Sequence, residues 1–148
     1  LNGDSLQALA ENNLKTRIYS YDIFDEFNGN RPNKTKIIKK FKKFNNIKIQ
    51  YGNYFNKNSD FKDNNIDLLH IDIANDLDVY EFFIQNYFRK LSKKGIAILE
   101  GGSKERDNIG WMKKYKKKKI NNYLNKLNKK KYKFFTIGAL PSITIFYK

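Results

Sequence analysis

Ile66-Asp-Leu-Leu-His-Ile-Asp72 is the stretch on which the fold turns. It is apolar on what would be both faces of a strand, the pattern of a central, parallel strand. Leu77 to Leu91 follows as a helix, with Tyr80, Phe83, Ile84, Tyr87, Phe88 and Leu91 as its buried stripe. Lys93-Lys94-Gly95 closes that helix, with basic residues at the negative end of its dipole and a glycine to turn. Ile96-Ala-Ile-Leu-Glu100 is a second buried strand, followed by a polar loop from Gly101.

The same alternation extends outward. On the N-terminal side, Asp4 to Asn13 reads as a short helix and Arg17 to Asp22 as a strand. Residues 24 to 32 form a loop with Gly29 and Pro32, Thr35 to Phe44 an amphipathic helix, and Asn46 to Tyr51 a strand closed by Gly52-Asn53. Asn56 to Asn65 is a polar loop with a short helix. On the C-terminal side, Tyr115 to Lys131 reads as a basic helix with Ile120, Leu124 and Leu127 inward. Tyr132–Ile137 and Ser142–Tyr147 are strands whose short link, Gly138 to Pro141, allows only an antiparallel hairpin. Strands alternating with helices predict one α/β domain over 1–148: a mostly parallel, doubly wound sheet with helices on both faces and a C-terminal antiparallel hairpin. Leu1-Asn-Gly-Asp-Ser5 reads as the tail of a glycine-rich turn. A first strand is therefore expected upstream, and its absence should leave exposed sheet edges.

Composition narrows the function. The 148 residues are 40% hydrophobic, enough for one core and too apolar for a disordered tail. No run of about 18 apolar residues spans a bilayer. No basic segment leads into an apolar stretch at the start, so a cytoplasmic location is expected. The chain has no Cys, which excludes disulfides, thiolate nucleophiles and Cys-ligated zinc, and its single His excludes multi-His metal sites. The net charge is +15, yet 26 of the 30 basic residues are Lys, and Asn, Ile, Phe and Tyr are abundant too. All five have A/T-rich codons, so compositional drift accounts for much of the charge, and no nucleic-acid partner is expected. The charge is unevenly spread. Acids crowd Asp60 to Phe82, whereas Lys104 to Lys133 holds thirteen basic residues and two acids. Lys113 to Lys119 reads as a solvated face, with polyanion binding as the sharper alternative.

In a doubly wound sheet, ligands bind beyond the carboxyl ends of the strands. That rule gathers the candidate residues. Gly3 would let the backbone approach a ligand, and Ser5 in the first helical turn offers a hydroxyl and N–H groups to an anion. Asp22 would either accept a ribose diol or cap a turn. Gly52-Asn53 ends the next strand. Asp72 and Glu100, at adjacent strand ends, could share a hard cation with a substrate hydroxyl, or one could act as a base. Asn75 could add an oxygen ligand. Asp76 fits a helix N-cap. His70 fits a neutral core residue better than a base. Arg106 could hold an anionic or hydroxyl-rich substrate, and Trp111, Met112 and Tyr115 either wall the acceptor or anchor the basic helix.

These features together resemble the class I S-adenosylmethionine-dependent methyltransferases. Leu1-Asn-Gly-Asp-Ser5 is similar to the tail of the family's first motif and Asp22 to its ribose-binding acid. The 66–99 stretch is similar to its fourth and fifth strand region, and the final hairpin to its inserted antiparallel strand. Within the superfamily, Leu69-His-Ile-Asp72 with Leu77-Asp-Val-Tyr-Glu81 resembles the macrocin-type O-methyltransferases, which act on sugars with Mg2+. The resemblance implies a transferase binding S-adenosylmethionine through Gly3, Ser5, Asp22, Asn53 and Asp72. It further implies a metal on Asp72 and Glu100, catalysis by Asp72, Glu100 or His70, and O-methylation of a sugar or other hydroxylated acceptor. The chain departs from the family at Ile73-Ala74-Asn75, where Gly-Asp is common, and at Gly101-Gly102, where a second acid is common. The competing readings are a nicotinamide-dependent oxidoreductase of Rossmann type, a non-enzymatic basic module for nucleic acid or polyanions, and an inactive fragment.

Overall fold

The computed structural model describes residues 3–24 and 33–148, so Leu1-Asn2 and most of the expected 24–32 loop lie outside the described residues. The chain forms two compact units, residues 1–57 and 58–148.

In the first unit, α1 (Asp4–Asn12) leads into β1 (Ile18–Asp22), and α2 (Lys34–Phe41) into β2 (Ile47–Tyr51). β1 and β2 pair in parallel from Ile18↔Ile47 to Asp22↔Tyr51. Asn33 starts α2 by accepting the Lys36 N–H at 2.9 Å, a side-chain N-cap. The apolar face of α2 buries Phe41, which is 3% exposed.

The second unit begins with a 3-10 turn, Lys57–Asp60, at its border, as the expected short helix in 56–65. β3 (Ile66–Ile71), α3 (Leu77–Phe82), β4 (Leu91–Glu100), α4 (Gly110–Lys114), α5 (Asn121–Lys126), β5 (Lys133–Ile137) and β6 (Ile143–Tyr147) follow. The sheet order is β3-β4-β6-β5. β3 runs parallel to β4, as expected. β6 lies between β4 and β5 and is antiparallel to both. One inserted strand thus makes two antiparallel ladders, so the sheet is mixed rather than mostly parallel. β3 is the edge of this sheet rather than its centre, and Leu68 on it is 43% exposed.

The core of this unit is aromatic. Phe83 and Phe134 lie 4.9 and 5.0 Å, centroid to centroid, from Phe146, which is fully buried. Apolar side chains on the other face, including Ile96, Phe135 and Tyr147, keep 40–48% exposure.

Two expected helices change form. The 77–91 helix is α only to Phe82, continues as a π turn over Phe83–Tyr87 and a 3-10 turn over Phe88–Lys90, and stops before Leu91. Leu91 is fully buried and already paired with Ile66, so strand pairing prevails over helical propensity and Lys93-Lys94-Gly95 falls inside β4. The ladder shifts register between Ile66 and Leu68, the mark of a bulge. The 115–131 helix shrinks to α5. Lys116 takes a left-handed φ of 50°, and the Lys117 N–H bonds back to Met112 at 2.8 Å, which ends α4 in a turn.

Candidate functional site at the strand ends

In the first unit, the carboxyl ends of β1 and β2 bring Asp22, Gly52 and Asn53 together. The Gly52 N–H donates to the Asp22 carbonyl at 3.1 Å. Asp22 is half-buried, and its Oδ1 accepts the Phe24 N–H at 2.6 Å, the turn-capping role. Asn53 Oδ1 accepts the Phe55 N–H at 3.0 Å, so this end too is built as a turn. Gly3 stands at the start of α1 with φ 76°; a Cβ there would lie 2.6 Å from the Phe41 ring. The space beside Gly3 on that side is therefore filled by Phe41. Ser5 is exposed in the first turn of α1.

In the second unit, Asp72 follows β3 and is exposed, and Glu100 is the last residue of β4. His70 is exposed on β3, in register with Ile98, and not the buried core residue expected. Among the described residues β3 pairs with one strand, β4, at the edge of the second unit's sheet. Asn75 is fully buried, and its Oδ1, the expected oxygen ligand, has no hydrogen-bond partner among the described residues. Its Nδ2 reaches the Ile71 carbonyl at 3.1 Å and the Glu100 carbonyl at 3.0 Å, latching the ends of β3 and β4 together. The Tyr80 hydroxyl donates to the same Glu100 carbonyl at 3.2 Å, and burial pushes this phenol well above its ordinary pKa. Asp76 is the N-cap of α3, as expected, and its other oxygen pairs with Lys117 at 3.0 Å.

The Gly101–Asp107 segment is fixed in place, which neither the loop pattern nor its polarity foretells. Gly101 and Gly102 take φ values of 98° and 111°. Thr144 donates its hydroxyl to the Gly101 carbonyl at 2.8 Å. A Cβ on Gly102 would come within 2.1 Å of that Thr144 oxygen. Asn121 Nδ2 donates to the Gly102 carbonyl at 2.9 Å. Asp107, 3% exposed, accepts the N–H groups of Ile120 at 2.9 Å and Asn121 at 2.7 Å, and so holds the start of α5. Ser103 Oγ accepts the Arg106 N–H at 3.0 Å.

This scaffold aims Arg106. The residue is 5% exposed; its Nε donates to Glu100 Oε1 at 3.3 Å, and its guanidinium carbon lies 5.1 Å from the Trp111 ring centroid. Arg106 Nη1 is buried and has no hydrogen-bond partner among the described residues. A cavity of about 440 Å³ opens here, lined by Ile73, Ala74, Glu100, Arg106, Ile109, Trp111, Leu140 and Pro141. Trp111 therefore serves as a wall, while Met112, 2% exposed, is the anchor of its helix. Leu140 and Pro141 come from the hairpin link, a contribution no local pattern signals.

The residues present do not fit the expected magnesium site. Glu100 is committed to Arg106, Asn75 turns its donor face to two carbonyls, and no group of three or more His, Asp or Glu could hold a metal among the described residues. No described helix is long and apolar enough to cross a membrane.

No protein-family model matches the sequence, and no curated protein does either. Solved structures do match. A methyltransferase from Geobacter sulfurreducens aligns over 99% of this chain with a TM-score of 0.60 and 14% identity; the chain spans 66% of that protein's length. An rRNA methylase from Streptococcus thermophilus aligns over 99% of this chain and 81% of its own, with a TM-score of 0.65 and 13% identity. A Streptococcus mutans protein assigned as a methyltransferase, solved in complex with SAH, aligns over 99% of this chain and 83% of its own, with a TM-score of 0.64 and 12% identity. Identities this low speak for fold. With β6 inserted antiparallel between β4 and β5, the chain has the Rossmann-like fold of the class I methyltransferases.

Proposed function

We propose that the chain is an S-adenosylmethionine-dependent methyltransferase that O-methylates a small hydroxylated molecule, with residues 1–148 working as one domain. The observation that carries this reading is the cavity beyond the carboxyl ends of β3 and β4, where ligands sit in open α/β sheets. The cofactor, when bound, supplies a methyl group already activated on a sulfonium. Asp22, half-buried at a strand end with Asn53 beside it, has the chemistry to accept hydrogen bonds from ribose hydroxyls. Ser5 and Gly3 at the start of α1 complete the proposed cofactor residues of the first unit. Chain residues then have to align the acceptor, exclude water and take one proton. Asp72 is the proposed base, because its carboxylate is exposed at a strand end. Glu100, held by Arg106, positions the guanidinium, and His70 is the remaining candidate for proton transfer.

The antiparallel β6 favours this reading over a nicotinamide oxidoreductase. The polyanion reading loses support from the lysines themselves. Lys117 pairs with Asp76, Lys118 with Asp78 at 2.8 Å, and Lys119 donates to Asn108 at 2.9 Å. An RNA acceptor, the substrate class named for the Streptococcus thermophilus protein, would instead show binding that falls steeply with salt.

Thermal unfolding with S-adenosylhomocysteine or NAD separates the readings. A ligand at 100 times its Kd stabilises by about 2.7 kcal/mol. S-adenosylhomocysteine should raise Tm and NAD should not; a rise with NAD alone would assign the fold to the other chemistry.

A further inference from the structure

We infer that the Arg106–Trp111 cavity takes an aromatic carboxylate, so that the acceptor is a hydroxylated arene acid rather than a sugar; this rests on the proposed methyltransferase activity. The argument starts from the lining. Of the eight residues, Ile73, Ala74, Ile109, Leu140 and Pro141 offer only apolar side-chain surface. A sugar would bring several hydroxyls into a space with few side-chain partners, and each unpaired hydroxyl carries an uncompensated desolvation cost. A planar ring brings none.

Arg106 supplies the second half. Arg106 lines this cavity, and its Nη1 is buried without a hydrogen-bond partner among the described residues, so the guanidinium keeps a donor free for an oxygen. Its charge is only partly answered: Glu100 meets Nε at 3.3 Å, and the Glu100 side chain is 36% exposed and screened by water. An anionic oxygen therefore suits Nη1 better than a neutral one. Trp111 packs by the guanidinium and presents an aromatic wall to a flat ligand. The volume, about 440 Å³, falls in the range of roughly 300–1,000 Å³ for small-molecule sites. Gly102, Thr144 and Asp107 clamp the segment that carries Arg106, so the donor is held in place before a ligand arrives.

Trp111 is the only tryptophan of the chain, so its fluorescence reports on this cavity. Titration of the full chain with 4-hydroxybenzoate should quench it saturably, and methyl glucoside should not. Arg106→Lys, which keeps the charge and loses the planar fork, should weaken 4-hydroxybenzoate binding at least tenfold. Ala74→Leu, which leaves Arg106 untouched and narrows the cavity, should do the same. Calorimetry of S-adenosylhomocysteine on the same samples reports separately on the cofactor. No saturable quench, equal affinity in Ala74→Leu, or methyl glucoside binding as tightly as the arene overturns the assignment. Arene binding without S-adenosylhomocysteine binding keeps the cavity's ligand class and removes the methyltransferase reading.

Discussion

Replacing Gly102 by Ala tests whether the loop after β4 is a fixed scaffold. The backbone there has φ 111°, a conformation costing of order 1–3 kcal/mol for a residue with a Cβ. The added carbon would meet Thr144 Oγ1 at 2.1 Å and Leu124 Cδ1 at 3.0 Å. Thr144 cannot swing away cheaply, since it is fully buried, donates to Gly101 and shares a hydrogen bond with Thr136 at 3.0 Å. Overpacking of this kind adds about 1–3 kcal/mol. A loss of about 3 kcal/mol is therefore expected, or roughly 6–12 °C in Tm for a chain of this size. Gly110→Ala is the control. Nothing lies within 4 Å of its Cβ position and its φ is not positive, so it should be neutral or stabilising by roughly 0.5–1 kcal/mol. Far-UV circular dichroism melts of both variants give the comparison. A Gly102→Ala protein within 1 kcal/mol of the parent would show that the segment yields freely, and the pre-set position of Arg106 would lose its basis.

Three further outcomes follow from the same structure. Asn75→Asp turns a double donor into an acceptor facing two carbonyls, and should cost about 2–4 kcal/mol in urea unfolding; Asn75→Asp as stable as the parent would refute the latch. Burial raises the Tyr80 phenol, and burial also pushes Tyr123 up to about 12. Their folded pKa values exceed the unfolded value near 10, so the stability they contribute is full below pH 10 and falls as pH rises beyond it. The urea midpoint should drop between pH 10 and 12, and Tyr80→Phe should flatten part of that drop; an unchanged profile would contradict the burial argument. Glu100→Gln should loosen Arg106 and change the Trp111 emission at neutral pH, whereas an identical spectrum would sever the link between the three residues.

Much of the second unit is legible because its signals are local. The parallel pair at 66–71 and 96–100, the cap at Asp76 and the 133–147 hairpin each declare themselves within a few residues. What escapes reading is set by partners distant in sequence. Leu91 becomes strand because Ile66 pairs with it, a decision no helical periodicity reveals. The lysines after Met112 look like a helix face, yet Asp76, Asp78 and Asn108 draw three of them into ties across 11 to 41 positions. The loop at 101–107 looks pliable from its glycines, while those same glycines let it pack against Thr144. At the site, the pattern alone places Asp72 and Glu100 at strand ends. Arg106 is legible too, as a cation for an anionic or hydroxyl-rich substrate, whereas the Leu140-Pro141 wall needs the tertiary structure, because the cavity draws on segments more than sixty residues apart.

Calorimetric titration of S-adenosylhomocysteine into the full chain and into Asp22→Ala bears most directly on the proposed activity. Saturable binding to the parent, weakened at least tenfold by the substitution, is the predicted result. Equal binding by both proteins would remove Asp22 from the cofactor site, and no binding to the parent would contradict the activity itself.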